Sequence, residues 1–352
     1  IGIDGFPDCP ECASAKARLR HTLDRYNFTS FPGAFSNYTS TFDSVPSVLN
    51  SRLVRGQQEL MARQGAGHLR HYIVRANSLF DEFAAKGFRV VGYQHASLQT
   101  CAPEFGSAEC RGYRDKLGWL RKAPGDWIER FRWLVGSYQA SDPVLVRVKG
   151  FFPFRFGLKM TGPLAVAGFW PSGLAGDILD ERRRTFFFAH LLTPHLPYLY
   201  RRDGSVRPMA EWSQDRGDER VDDAEYRRRY ARYCEQVEFV AGQMNELFAE
   251  LERHGVLRDM TVVVHGDHGS RIRKKFIETP GRPRQVGDNY MPDAFDYRGR
   301  PETRDLVDRF STLLAVKLPG ASAPVISEEK HSLLTVLSRV IFQREPVDGV
   351  EA

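Results

Sequence analysis

A chain of 352 residues, 42% apolar and 12% aromatic, can bury a large core; it is long for one domain but not for a single α/β sheet. No apolar run reaches the roughly 18 residues that a bilayer-spanning helix needs, so no such helix is expected. A net charge of +6 suits an anionic partner such as a phospholipid or a phosphate ester, and no motif beyond that charge points to nucleic acid.

Residues 1–4, Ile-Gly-Ile-Asp, read as a strand with Asp4 at its carboxyl end, and Gly5-Phe6-Pro7 turns the chain away. The absence of an initiator Met or any lead-in predicts that something upstream has been removed. Residues 13–27 have helical spacing, with Leu19, Leu23 and Tyr26 on one side. A hydroxyl-dense stretch over 31–49 then leads into a helical start, and a helix N-terminus is a good place to hold an anion.

Residues 69–86 read as an amphipathic helix with Ile73, Ala76, Leu79, Phe80 and Phe83 inward; Gly87 ends it, and 88–93 follows as a strand. The pattern loosens over 119–176. There the aromatics of Phe151-Phe-Pro-Phe-Arg-Phe156 and Phe169-Trp170, interleaved with Arg155 and Lys159, suit either core or a membrane surface.

Residues 185–192 read as a buried strand running into Thr193-Pro-His-Leu-Pro-Tyr198, so His190 and His195 lie near a strand end stiffened by prolines. One long helix spans 218–254, with Tyr226, Tyr230, Tyr233, Val237, Val240, Met244, Leu247 and Leu251 on its inner face. It delivers the chain to Thr261-Val-Val-Val-His-Gly-Asp-His-Gly-Ser270, which reads as a buried parallel strand turning through Gly266 and Gly269.

At that strand's carboxyl end Asp267 and His268 offer an oxygen and a nitrogen to one divalent ion, held between glycines that let the backbone turn sharply. The basic run Arg271, Arg273, Lys274 and Lys275 is either solvent-facing charge or an anion clamp. Residues 276–305 read as a long loop, 310–318 as a strand and 332–342 as a closing helix.

Five cysteines complete the inventory. Cys101 and Cys110 bracket a short loop, a natural place for a disulfide, which points to an oxidising compartment. Cys9-Pro-Glu-Cys12 fits a disulfide, a redox pair or half a zinc site; no second Cys or His pair stands at matching spacing, which favours a disulfide or free thiols over zinc. Cys234, inside the long helix, reads as a buried thiol.

Taken in order, five segments resemble the sulfatase-like branch of the alkaline phosphatase superfamily: Ile1-Gly-Ile-Asp4, Thr39-Ser-Thr-Phe-Asp-Ser-Val-Pro46, Ala189-His-Leu-Leu-Thr-Pro-His-Leu-Pro-Tyr198, Gly266-Asp-His-Gly269 and Phe310-Ser-Thr-Leu-Leu-Ala-Val-Lys-Leu-Pro-Gly320. The resemblance implies one catalytic domain over 1–352, once preceded by a membrane anchor. It implies an α/β sandwich with a large, mostly parallel central sheet and helices on both faces. The second segment looks most like the nucleophile segment of bacterial phosphoethanolamine transferases, and the motifs together are closest to the phosphoethanolamine and phosphoglycerol transferases. On that pattern Thr41 corresponds to the nucleophile; Asp4, Thr41, Asp267 and His268 to the ligands of a divalent metal; and His195 to a catalytic histidine near the phosphoryl group. His190, Arg271 and Lys274 are then expected to bind substrate.

Two departures from the family patterns shape the expectation. No histidine lies between His268 and His331, so one metal, zinc or manganese, is expected, or a second one only transiently. Ser44-Val-Pro-Ser-Val48 has Val48 where a sulfatase's formylglycine segment carries Arg, which disfavours sulfate ester hydrolysis and leaves Ser44 as a reserve nucleophile.

The expected activity is therefore ping-pong transfer of a phosphoryl-linked head group from a phospholipid donor to an envelope glycan or lipid, at a membrane surface. It belongs in the periplasm or on the extracytoplasmic face of a bacterial inner membrane. The alternatives are a phosphate or sulfate ester hydrolase of the same fold, and a catalytically silent domain that binds a glycan or lipid head group.

Overall fold

The structure is a computed structural model that describes residues 2–7, 9–54, 72–74, 76–94, 98–101, 108–112, 162–195, 198–207, 211, 223–272, 277–280, 284–286, 289–291, 295–298 and 302–346. The chain opens not on a strand but on a 3-10 turn, Ile3–Gly5. The Gly5 N–H returns to the Gly2 carbonyl at 2.9 Å, which commits a donor that a strand ladder would use. Ile3 is buried.

Helix α1 (Pro10–Arg25) begins earlier than its apolar spacing shows, because the cap sets the start: the Cys9 sulfur accepts the Cys12 N–H, and Pro10 takes the first helical position, where no N–H is needed. After β1 (Thr29–Ser30), α2 (Thr41–Asn50) starts from Ser40, whose hydroxyl accepts the Phe42 N–H.

The helix expected over 69–86 is shorter than its apolar spacing suggested. Tyr72–Ile73 is strand β2, Asn77 caps Phe80 through its side chain, and only Ser78–Ala85 forms helix α3. The Asn77 amide also donates to the Thr100 carbonyl, so a long-range contact fixes where the helix begins. The parallel core follows as β3 (Arg89–Gln94), β4 (Leu98–Gln99) and β5 (Glu109–Gly112), then α4 (Gly162–Asp180) and β6 (Thr185–Ala189). Helix α5 (Asp223–Arg253) leads through Gly255, at φ +74°, towards β7 (Val262–His265).

The expected loop over 276–305 contains two antiparallel ladders. Strand β8 (Ile277–Pro280) pairs with β11 (Phe295–Arg298), and β9 (Arg284–Val286) pairs with β10 (Asn289–Met291). Strands of three or four residues are too short to show alternation above their Pro, Gly and Arg content. Helix α6 (Thr303–Phe310) precedes β12 (Leu314–Lys317) and β13 (Val325–Ile326), and α7 (Leu333–Leu337) runs into a π-helical turn, Ser338–Phe342.

Strands β5, β3 and β6 form a parallel sheet, and β13, β1, β12 and β7 a mixed one. Strand β7 is antiparallel to β12, with His265 opposite Leu314, rather than parallel as its apolar run suggested. Alternation along each strand places the core on both faces. Val91, Tyr93, Phe187, Ala189, Val262, Val264 and Ala315 pack with α1, α4 and α5. Val90, Phe186 and Phe188 pack with α2 and α3, while Val263, Leu314 and Val316 pack with α2 and α7. This is the α/β sandwich expected, with helices on both faces.

Trp170, grouped above with aromatics that suit a membrane surface, belongs to this core: it is 3% exposed and its indole N–H donates to Gln243 at 2.7 Å. Residues 151–156 and 159 lie outside the described residues. Cys101 and Cys110 are bonded as expected. Cys234 is not a buried thiol but is bonded to Cys12, joining α1 to α5 across 222 positions. No helix among the described residues is long and apolar enough to cross a membrane.

Candidate active site

The last turn of α6 and the segment that joins it to β12 organise the site. From them the Asp308, Arg309 and Leu313 carbonyls accept the N–H groups of Arg271, Gly269 and Gly266 at 3.1, 2.9 and 2.9 Å. This presses the Gly266–Gly269 loop against α6. A Cβ on Gly269 would lie 2.1 Å from the Asp308 carbonyl oxygen, and one on Gly266 2.7 Å from Thr312 Oγ1. Neither glycine has positive φ. The two glycines serve close approach, not the sharp turn expected of them.

On the other side, Ser44 Oγ in α2 donates to the Asp267 carbonyl at 2.6 Å and lies 3.2 Å from Ser36 Oγ. That bond ties α2 to the loop and brings its first residue, Thr41, onto Asp267. Thr41 Oγ1 donates to Asp267 Oδ2 at 2.5 Å and stands 3.2 Å from His268 Nε2, which is itself 3.5 Å from Asp267 Oδ2. His268 Nδ1 lies 2.7 Å from the Gly269 carbonyl, which can only accept, so Nδ1 carries the proton and Nε2 presents a lone pair. Asp267 Oδ1 accepts the His268 N–H at 3.0 Å.

Three electron-rich atoms thus converge with a single hydroxyl proton among them. Hydroxyl oxygen, carboxylate oxygen and imidazole nitrogen are donors suited to a divalent cation, and the surplus of lone pairs at short range is what such an ion would offset. The residues fit one metal in this respect. Among the described residues, however, no group of three or more His, Cys, Asp or Glu side chains is placed to hold an ion, so Asp267 and His268 have no further such ligand beside them.

Histidines set the electrostatics. Burial lowers His190 to a pKa of about 4 against the pull of Asp267, and burial likewise lowers His265 and His268. Burial pushes the Asp267 carboxyl up, but His268, His190 and the Thr41 hydroxyl outweigh it and hold the group well below the usual carboxylate range. His190 continues the β6 ladder, its N–H reaching the Tyr93 carbonyl at 3.3 Å. His195 lies close enough for its charge to act on both His190 and His268, and its carbonyl accepts from Gln236 at 3.1 Å. Arg271 lies within electrostatic range of His268.

The structure therefore brings together Thr41, Asp267, His268, His190, His195 and Arg271. It places Asp4 differently: its carboxylate is 3.6 Å from the Lys16 ammonium, with its side chain 58% exposed. Ser44, the reserve nucleophile, is 2% exposed and bonded to main chain. Lys274, with Arg273 and Lys275, lies outside the described residues. Sequence reading missed Ser36, His265, Thr312 and Asp308. Asp308 is buried and accepts from Tyr230 at 2.7 Å and from Ser270. Of these only His265, at the end of a β-branched strand, carried a local signal.

Residues 174–305 match the Sulfatase domain family, a span that includes β6, α5, β7 and the Gly266–Gly269 loop. In fold, the chain is similar to the candidate sulfatase yidJ from Bacteroides fragilis, with a TM-score of 0.52 at 13% identity over 96% of this chain and 70% of that one. The chain has a sulfatase-type fold. Weaker likenesses are to the phosphonate monoester hydrolase SpPMH from Silicibacter pomeroyi (TM-score 0.47, 13% identity, 96% of this chain and 70% of that one) and to the lipoteichoic acid synthase LtaP from Listeria monocytogenes (0.42, 13%, 93% and 65%). The chain spans 66% of the length of i-CgsB, another structure it resembles. No curated protein matches it in sequence. The fold likeness and the domain match over 174–305 agree in pointing to the sulfatase type.

Proposed function

We propose that this domain is a phosphotransferase that moves a phosphoryl-linked head group, of phosphoethanolamine or phosphoglycerol type, from a phospholipid to an envelope glycan or lipid through a covalent adduct on Thr41. The observation that carries this reading is the Thr41 hydroxyl at the start of α2, 2.5 Å from Asp267 Oδ2 and 3.2 Å from His268 Nε2. Thr41, Asp267 and His268 would hold one zinc or manganese ion, with Asp4 joining them on release from Lys16. A divalent ion there lowers the pKa of a bound hydroxyl and offsets charge on phosphoryl oxygens.

The chain's own groups do the rest. Asp267, held ionised, orients the Thr41 hydroxyl, which gives its proton up to solvent. The Thr41 oxygen forms a bond to phosphorus as the bond to the lipid oxygen breaks, and His195 protonates that leaving oxygen. An acceptor hydroxyl then gives its proton to His195 and displaces Thr41 from phosphorus, the Thr41 oxygen taking a proton back from solvent. His190, kept neutral by burial, and Arg271 hold the phosphoryl oxygens. Two disulfides support an oxidising, extracytoplasmic setting, the periplasm or the outer face of a bacterial inner membrane.

A second reading, hydrolysis of a phosphate or sulfate ester with water as acceptor, is favoured by the Sulfatase match over 174–305. The same experiment separates the two. The metal-loaded protein is incubated with phosphatidylethanolamine or phosphatidylglycerol vesicles and its peptides are mapped by mass spectrometry. A head-group adduct on Thr41, absent in Thr41→Ala, together with released diacylglycerol, supports transfer. Turnover of aryl phosphate or sulfate esters with no adduct from either lipid supports the hydrolase and overturns the transferase.

A further inference from the structure

Three sulfurs meet at one end of α1. Cys9 occupies the N-cap, Cys12 stands three residues on, and Cys234 from α5 is bonded to Cys12. The Cys9 sulfur accepts the Cys12 N–H at 3.3 Å, so it sits beside the residue whose own sulfur is in the bond. Cys12 and Cys234 are both 0% exposed, whereas Cys9 is half-buried and belongs to neither disulfide. The bonded pair is thus closed to solvent, while Cys9 beside it is not.

We propose that Cys9-Pro-Glu-Cys12 is a redox-active site in which Cys9 is the attacking thiol for the Cys12–Cys234 disulfide, with thiols as its substrate class. The Cys-X-X-Cys spacing and the N-terminal position on a 16-residue helix both suit it, because that end of a helix favours an anionic sulfur and the thiolate is the nucleophile.

The Cys9 thiolate adds to the Cys12 sulfur; the Cys9–Cys12 bond forms, the Cys12–Cys234 bond breaks, and Cys234 leaves as a thiolate that takes up the proton Cys9 gave up. Nothing is oxidised or reduced overall in this step. A solution dithiol can then pass two electrons and two protons to the half-buried Cys9–Cys12 pair, leaving as a disulfide. The exchange removes the covalent tie between α1 and α5, leaving their packing and hydrogen bonds in place. Helix α1 also carries Lys16, the partner of Asp4, so the state of this bond bears on the segment that holds Asp4.

The test is a time course of native protein in dithiothreitol at about pH 8, quenched with acid, alkylated and mapped without further reduction. A Cys9–Cys12 peptide accompanied by alkylated Cys234 is expected as an intermediate. In Cys9→Ser, which retains a good cap, that species disappears and the Cys12–Cys234 bond opens at least ~10-fold more slowly, while Cys101–Cys110 opens at an unchanged rate. Equal rates of opening in the two proteins overturn the proposal. So does a wild-type time course in which Cys9 is alkylated and no Cys9–Cys12 peptide is ever found, a result that needs no variant to fold.

Discussion

Gly269 shows how much of the site rests on a single missing methyl. Both atoms nearest its absent Cβ, the Asp308 carbonyl oxygen at 2.1 Å and the Arg309 carbonyl carbon at 2.6 Å, are main chain, so no flexible side chain can yield. Gly269→Ala is expected to cost about 1–3 kcal/mol or more through overpacking and to displace His268 with it; urea denaturation measures the first and metal affinity the second. Gly266→Ala meets only the Thr312 hydroxyl and should cost less. His190 gives the site a pH dependence. Its folded pKa of about 4 lies below the ~6.5 of an unfolded imidazole, so between those values the unfolded chain binds a proton that the folded one refuses. Its contribution is therefore complete above about pH 6.5 and is lost as pH falls towards 4, by on the order of 3 kcal/mol. His190→Asn should flatten that part of a plot of urea midpoint against pH, and an unchanged slope would contradict burial as the cause. Thr41, Asp267 and His268 were legible in the sequence because the chemistry lies in the residue types themselves. Ser36, Thr312 and Asp308 were not, because each acts through a partner far away in the chain.

At the scale of elements, the packing of α4 against α5 separates two roles for Trp170. Buried at 3% and bonded to Gln243, it is a core residue, so Trp170→Ala should cost about 3–5 kcal/mol in urea and leave binding to anionic vesicles unchanged. Loss of vesicle binding without loss of stability would return it to a membrane surface. Helix α5 was legible because its apolar period runs unbroken from Tyr226 to Leu251, and β3 and β6 because their runs are β-branched or aromatic. What the sequence hid follows one physical pattern. The start of α3 is set by Asn77 reaching Thr100, the direction of β7 by pairing with β12, and the partner of Cys12 by a residue 222 positions away. None of these contacts is local, so no local period carries them.

At the scale of the molecule, the sandwich closes a gap of 226 positions to set Thr41 on Asp267. Two sheets feed cores on both of their faces, and α2 from one face meets the loop that follows β7. Hydroxyl, carboxylate and imidazole gathered there share one proton among three donor atoms, and the reading of the whole domain as a metal-assisted transferase depends on that gathering. The measurement that tests it most directly is metal content by elemental mass spectrometry, on the purified protein and on Asp267→Ala beside it. About one equivalent of zinc or manganese in the first and little in the second is the expected result. No metal in either protein, even after loading with excess ion, would contradict it.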